Sequence, residues 1–436
     1  MCFVKKCFKR DMEDYLFNSY LFSTLSGFEK KKYQLSVRIL KYLYFQGPNP
    51  VADICNHLKI STPNGNAILG ILMSKELIEK KGYGLSKGGR KPELYGIKSD
   101  AFYVVSVDMN IHRTQLTIFD SSNTKTGEVE DFPLEMDNEI STLENLITRI
   151  DDFIAKSRVD RKKIIGIGIS FPGLVDSSGG FNYSYFNFGE KPVGSILQEQ
   201  LHLPVFVEND AKAVALAVWR FGVARNQKDV LVLFLDWGIG LGMILNGKLY
   251  RGNEGLAGEF SHIPMVEDGD SCICGKNGCL QTIAAGATLV RKAREGILEG
   301  KSSLMSHFAE GDINDVDLKT VVDAALKGDQ FAINLLSEVG EHLGKGISIL
   351  IQLFNPGMIV LTGKMAEAGQ YLTIPIQQAV NKYSMHRISE SMKMKHSDMG
   401  KEVGLKGALA VVMEDVFDVL GRAFSRKKSK ASPMAG

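Results

Sequence analysis

Cysteine is scarce in this chain. Six in 436 residues make no disulfide framework, and Cys2, Cys7 and Cys55 are expected to be free thiols in a reducing compartment. No run reaches the ~18 uninterrupted apolar residues of a membrane helix, so membrane insertion is not expected. The opening residues Met1-Cys-Phe-Val-Lys-Lys-Cys7 lack the apolar core of a secretory leader, which predicts a cytoplasmic location. Net charge is nearly lacking as well, at +2. What is present is an apolar fraction of 44% with ordinary charge content, the composition of a globular protein. The length suggests about three domains.

The small net charge hides a split. Residues 1–98 hold 17 Lys and Arg against 8 Asp and Glu, and residues 422–436 hold five cations and no acid. A head at +9 and a tail at +5 leave −12 on the body between them. A basic head on an acidic body points to a polyanionic partner for the head. The tail, Arg422 to Lys430, is read as a solvated end, with DNA contact the weaker reading.

Within the head, Tyr33–Gln46 places Leu35, Ile39, Leu40 and Leu43 on one helical face, and Gly47-Pro48-Asn49-Pro50 stops it. Val51–Leu58 reads as a second helix. Ser61, Thr62 and Pro63 open a third, a hydroxyl N-cap followed by proline, with Ile68, Ile71, Leu72 and Leu77 as its buried stripe. Three short helices with a tight turn before the third read as helix-turn-helix, and Ile78–Leu85 as a β-wing. Such a third helix lies in the major groove with its N-terminal residues at base edges. Ser61, Thr62, Asn64 and Asn66 are therefore the candidate DNA readers, although a solvated polar face is the plainer reading of any one of them. Asn can bond adenine in a bidentate manner. Gly65 weakens the helix and allows a close backbone approach. Lys87-Gly-Gly-Arg90-Lys91-Pro92 is thin, extended and basic, which suits Arg90 and Lys91 to a narrow minor groove. Residues 1–30 carry Tyr15, Leu16, Tyr20, Leu21 and Leu25, which could form an amphipathic helix against the head or a partner subunit.

The most specific feature is His262-x9-Cys272-x-Cys274-x4-Cys279. Three thiols and one imidazole fill a tetrahedral Zn²⁺ shell with no open position, which makes the ion a structural clamp. Soft thiolates favour zinc over magnesium or calcium. Gly275 and Gly278 let the chain turn tightly enough for the cysteines to converge. Three small buried hydrophobes and a core histidine would be the bland alternative, and the spacing speaks against it.

This segment resembles the signature of the ROK family, whose name joins repressors, open reading frames and sugar kinases: Gly-Glu-x-Gly-His, then Cys-x-Cys-Gly-x-x-Gly-Cys-x-Glu. The chain matches at Gly258, Glu259, His262, Cys272, Cys274, Gly275, Gly278 and Cys279, and departs at Ser261 and Gln281. The Gly88-Gly-Arg-Lys-Pro92 run resembles the segment that follows the winged head of ROK repressors.

In the body, Phe102–Asp108, Ile164–Gly173 and Val230–Gly240 read as buried strands with glycine-rich ends, and residues 140–156 and 193–201 as helices between them, so α/β layers are expected. The resemblance implies more: an N-terminal winged helix-turn-helix (1–98) on a two-lobed, actin-like body of the sugar kinase and ribonuclease H-like kind. Its lobes would be 99–229, with 402–421 returning to it, and 230–401 with the zinc site, followed by a disordered basic tail (422–436). It also implies a helix over 343–356, the strand Met358–Leu361 and a final helix over 402–420, returning towards the head. On the sugar side, Val207-Glu-Asn-Asp210 matches the family's Glu-Asn-Asp, and Gly173, Asn209, Asp210, Glu259, His262 and Gln281 become the ligand-binding candidates. In the kinases the matching aspartate is the general base, so Asp210 would be a vestigial base here. Asn209 offers donor and acceptor, while Asp210 and Glu259 accept only, which suits sugar hydroxyls. Zinc on one His262 nitrogen would aim the other at the ligand. Gln281 keeps reach but loses the charge of the family's glutamate.

The phosphate side departs from the family. Asn110 replaces a loop glycine after Asp108, with Ile111, His112 and Arg113 following. Asp236 and Trp237 bring charge and bulk where a nucleotide phosphate would lie, and Leu361-Thr-Gly-Lys364 replaces a glycine-rich loop. The combined expectation is a sugar-responsive DNA-binding regulator, a repressor rather than an enzyme, working as a homodimer or homotetramer. Its partners would be operator DNA and a sugar or sugar phosphate. An ATP-dependent sugar kinase with an appended head, or a regulator controlled by a protein partner, are the rivals. Which sugar, which operator and the direction of the response are not legible.

Overall fold

The structure is a computed structural model that describes residues 26–85, 91–111 and 113–425, with backbone only for 419–425. It divides into two units: residues up to Asn209 together with those from Ala408, and Asp210–Gly407. The sequence reading placed the boundary between lobes before Val230. It falls 20 residues earlier because the helix that follows Asn209 packs on the sheet of the second unit.

Helix α1 spans Gly27–Gln46, six residues longer at its start than the apolar periodicity suggests. A capping box explains the extension: the Ser26 N–H donates to Glu29 Oε2 at 2.8 Å, and the Glu29 N–H to Ser26 Oγ. Strand β1 is Asn49–Pro50, helix α2 Val51–Leu58 and helix α3 Thr62–Ser74. Ser61 sits at the N-cap of α3 with an extended backbone, but its hydroxyl makes no capping bond, contrary to the expected cap. The buried residues of α3 are Gly65, Ile68, Leu69 and Leu72, so Leu69 takes the place expected for Ile71. Gly65 is where α2 comes close: a Cβ there would lie 2.4 Å from Cys55 Sγ. Its smallness serves packing inside the head rather than approach to an outside surface.

Strands β2 (Ile78–Tyr83) and β3 (Glu93–Ile97) are antiparallel, pairing Ile78 with Ile97 and Tyr83 with Glu93, and β1 pairs with the other edge of β3. The Gly84 N–H donates to the Pro92 carbonyl at 2.8 Å. β2 and β3 are therefore still paired at Gly84 and Pro92, on either side of residues 86–90. Those residues, Arg90 among them, lie outside the described residues, as do His112, residues 1–25 and the tail from 426.

The first unit is built on a five-stranded sheet of order β10-β7-β4-β5-β6. Its strands are β4 (Tyr103–Met109), β5 (Arg113–Asp120), β6 (Glu130–Pro133), β7 (Ile164–Phe171) and β10 (Val205–Asn209). A small hairpin, β8 (Val175–Asp176) and β9 (Phe181–Asn182), follows β7. β4, β7 and β10 are parallel, while β5 runs antiparallel to β4 and β6 antiparallel to β5. Every residue of β7 is buried, as a central parallel strand requires. Helices α4 (Ile140–Lys156) and α5 (Val193–Leu201) supply Leu146, Ile150, Leu197 and Leu201 to the core with Val105, Val107, Ile167 and Ile169.

The second unit repeats that plan. Its sheet order is β13-β12-β11-β14-β15, from β11 (Val230–Leu235), β12 (Ile239–Leu245), β13 (Lys248–Leu249), β14 (Met358–Thr362) and β15 (Lys393–His396). Again three strands are parallel and two form an antiparallel meander. Helix α6 (Asp210–Arg220) lies on β12, where a Cβ on Gly242 would come within 2.2 Å of Ala215 Cβ. The remaining helices are α7 (Leu280–Ala284), α8 (Gly286–Leu298), α9 (Leu318–Leu326), α10 (Gln330–Phe354), α11 (Gln370–Tyr383) and α12 (His386–Ser389). Asp329 caps α10 through the Ala332 N–H at 2.8 Å.

The last helix, α13 (Val403–Ser425), returns to the first unit. A Cβ on Gly168 of β7 would lie 2.1 Å from the Ala408 carbonyl, so only glycine admits the helix there. Further along, Phe417 packs against Tyr44 and Phe45 of α1 with ring centroids 6.0 Å apart, and Lys41 pairs with Asp418 at 3.2 Å. The head is thus joined to the body through α13. Among the described residues no helix is long and apolar enough to cross a membrane.

Candidate functional site

The loop after β13 carries the His/Cys segment. Glu259 precedes a single 3₁₀ turn, Phe260–His262, with Phe260 buried beneath it. The chain then makes a small knuckle in which the Cys272 N–H donates to the Lys276 carbonyl at 2.7 Å and the Gly275 N–H to the Cys272 carbonyl at 2.9 Å. Gly278 has φ +69°, and a Cβ there would lie 1.8 Å from the Val266 carbonyl, so no other residue fits. This backbone brings the ligand atoms of His262, Cys272, Cys274 and Cys279 within 4.8 Å of one another. Cys272 Sγ is 3.4 Å from His262 Nδ1, and Cys274 Sγ 3.6 Å from Cys279 Sγ.

The donor set fits a cation. Burial lowers the His262 imidazole, which favours the neutral ring that a metal needs. Burial and its thiol neighbours push Cys279 up to about 12, so its thiolate needs a positive charge beside it. The four residues can hold a metal ion.

Two ligand-binding candidates lie next to this cluster in the chain. Glu259 stands three residues before His262, and Gln281, on α7, two residues after Cys279. Burial raises the Glu259 carboxyl above its ordinary value, and the Lys212 ammonium pulls it back. Asp210 opens α6, its Oδ1 accepting from the Ala211 N–H at 2.7 Å. In the first unit Asn209 ends β10 and donates from Nδ2 to the Gly173 carbonyl at 3.0 Å, so these two candidates are held together. Gly173 has φ +90°, and a Cβ there would lie 2.5 Å from Ser184. The six candidates are therefore divided: Gly173 and Asn209 in one unit, Asp210, Glu259, His262 and Gln281 in the other.

Lys212 was missed by sequence reading. It is 2% exposed, and its Nζ donates to the Gly255 carbonyl at 2.6 Å. The signal was a single cation inside the otherwise apolar run Ala211–Trp219.

The turns expected to have lost phosphate binding hold charges in use. Asp108, near the end of β4, accepts from the Ser170 hydroxyl at 2.6 Å. Asp236 follows β11. Its Oδ1 accepts from the Trp237 N–H at 2.9 Å and its Oδ2 from the Lys364 N–H, beyond β14, at 3.1 Å. Gly286 and Ala287, the first residues of α8, donate to the Asp236 and Trp237 carbonyls at 3.1 and 3.0 Å. Asp236 is a cross-brace between loops, not only the stray negative charge read from sequence.

In the head, Ser61, Thr62, Asn64 and Asn66 are all exposed along the start of α3, and Lys91 is exposed at the start of the return to β3.

The ROK family model matches residues 104–415, and the chain belongs to the ROK family. It is 29% identical over 379 residues to the N-acetylglucosamine repressor of Shigella flexneri, covering 86% of this chain and 91% of that one. It is 32% identical over 268 residues to a glucokinase of Halalkalibacterium halodurans, covering 60% of this chain and 80% of the enzyme. The crystal structure of a ROK family transcriptional regulator, a homologue of an Escherichia coli protein, superposes with a TM-score of 0.75 at 24% identity, over 89% of this chain and 97% of that one. The body accordingly has the actin-like fold of the family's sugar kinases, and the N-terminal helices fit a DNA-binding head.

Proposed function

We propose that this protein is a cytoplasmic, sugar-responsive DNA-binding regulator that represses carbohydrate-utilisation genes. One observation carries the reading: similarity to a repressor extends over 86% of the chain, whereas similarity to a glucokinase covers 60%. The head is a winged helix-turn-helix. Ser61, Thr62, Asn64 and Asn66 of α3 face base edges, and Arg90 and Lys91 enter the minor groove. A homodimer or homotetramer would place two heads on a two-fold symmetric operator.

The body senses a sugar or sugar phosphate. Gly173, Asn209, Asp210, Glu259, His262 and Gln281 are its ligand-binding residues. Zn²⁺, held by His262, Cys272, Cys274 and Cys279, serves as a structural clamp that fixes the orientation of Glu259, His262 and Gln281. The sugar must prefer one of two states to act as a switch, and driving 1:99 to 99:1 needs about 5.5 kcal/mol of differential affinity.

Two tests separate this reading from its enzymatic rival, which Asp210 and the glucokinase similarity support. Footprinting on the DNA upstream of its own gene should give a symmetric protected site that Asn64→Ala with Asn66→Ala abolishes. An ATP-dependent phosphorylation assay on a panel of hexoses, pentoses and amino sugars should give no turnover. Turnover abolished by Asp210→Asn would make the protein a kinase. A sugar that binds without changing the footprint would point to control by a protein partner.

A further inference from the structure

Helix α6 lies flush on β12 because Gly240 and Gly242 offer no side chain: Cβ atoms there would come within 2.3 Å of Ala211 Cβ and 2.2 Å of Ala215 Cβ. All residues from Ala211 to Trp219 are buried, and Lys212 is the only charge among them. An ammonium is costly to bury unless it is paired. Its long stem reaches the loop between β13 and the metal cluster, where Nζ meets the Gly255 carbonyl at 2.6 Å.

That loop, Arg251 to Glu259, needs an external tie. Gly252, Gly255 and Gly258 all take positive φ, at 76°, 82° and 95°, so its backbone is permissive when unrestrained. Internally, the Ala257 N–H donates to the Arg251 carbonyl at 3.0 Å. At its end stands Glu259, half-buried and within electrostatic reach of Lys212.

We propose that Lys212 is a positioning residue: its buried ammonium pins the Arg251–Glu259 loop to α6 through Gly255 and so sets the Glu259 carboxylate in place. The consequence for ligand binding rests on the effector site proposed above, but the pin itself does not. Hydrogen exchange of the ligand-free full chain therefore tests it directly, comparing wild type with Lys212→Met, which keeps the stem and removes the donor, and Lys212→Gln, which keeps a donor without charge.

Peptides covering 251–259 should exchange about tenfold faster in Lys212→Met, with α6 and β12 unchanged and Lys212→Gln between the two. Unchanged loop exchange in Lys212→Met, or equal acceleration through α6 and β12, overturns the proposal. Should Lys212→Met fail to fold, Lys212→Gln against wild type gives the same decision. Calorimetric titration with D-glucose, D-xylose, N-acetylglucosamine and N-acetylglucosamine 6-phosphate is the second arm. A sugar bound by wild type and weakened in step with loop exchange supports the role in positioning Glu259. A sugar bound equally well by a loosened loop contradicts that role. Loosening with no sugar bound by wild type leaves the pin standing and counts against the effector reading instead.

Discussion

The two units share one plan and use it differently. In each, a strand, an antiparallel meander and two further parallel strands give the same sheet order, 10-7-4-5-6 in the first and 15-14-11-12-13 in the second. In each, an aspartate lies at the end of the first strand and reaches towards the neighbouring parallel strand. Asp108 accepts from the Ser170 hydroxyl on β7, whereas Asp236 gathers the backbone N–H groups of its own loop and of the loop after β14. Loop N–H groups at strand ends are what an incoming phosphate would use. In the second unit two of them are already satisfied by a carboxylate from within. Among the described residues only the second unit carries the His/Cys cluster and a carboxylate that gathers loop N–H groups, on a sheet frame of the same order.

The contrast can be broken at several points. The largest effect should come from the clamp. Cys272→Ser should lose the ion, lower the melting temperature by about 10 °C or more and abolish sugar binding, with metal content measured by mass spectrometry. Full zinc occupancy in that variant would remove Cys272 from the ligand set. The two aspartates should differ next. Asp236→Ala orphans the Trp237 and Lys364 N–H groups and should cost about 2 kcal/mol in urea unfolding, while Asp108→Ala takes the acceptor from the Ser170 hydroxyl, which can turn to another, and should cost about 1 kcal/mol. The reverse order would show that the cross-brace is not what distinguishes the second unit.

A smaller change is expected in the head. Arg90→Ala should weaken DNA binding and reduce the salt slope of log K by about 1, measured by anisotropy across a salt series. Unchanged binding would remove the minor-groove contact. The smallest concerns the join between head and body. Lys41→Met loses the pair of a partly exposed ammonium with Asp418 at 3.2 Å and Glu414 at 3.8 Å and should cost about 1 kcal/mol. A larger loss would mean that charge, rather than the aromatic packing of Tyr44, Phe45 and Phe417, holds α1 to α13.

Much of this was legible in sequence wherever local chemistry dominates. The spacing and glycines of the cysteine segment specify a knuckle without reference to the rest of the fold, and the four donors meet. Helices α4 and α5 match their apolar periods at both ends. The misses share a cause, which is tertiary contact. Gly65 looked like a site of outside approach because Cys55 is ten residues away in sequence and touches it only in space. Asp236 looked like repulsion because its partner Lys364 stands 128 positions on. Lys212 drew no notice because its acceptor is a main-chain carbonyl, which no sequence pattern marks. The division at Asn209 was obscured for the same reason: α6 follows β10 without a break but packs on the other sheet.

The central claim is that a sugar controls the grip of this chain on DNA. The most direct measurement is a fluorescence anisotropy titration of the purified protein on its footprinted upstream site, repeated with each of the four sugars named above at fixed salt. The account predicts specific binding, and a change of at least about tenfold in apparent Kd with one sugar, equivalent to 1.4 kcal/mol of coupling. Tight sugar binding that leaves the DNA affinity unmoved would contradict it.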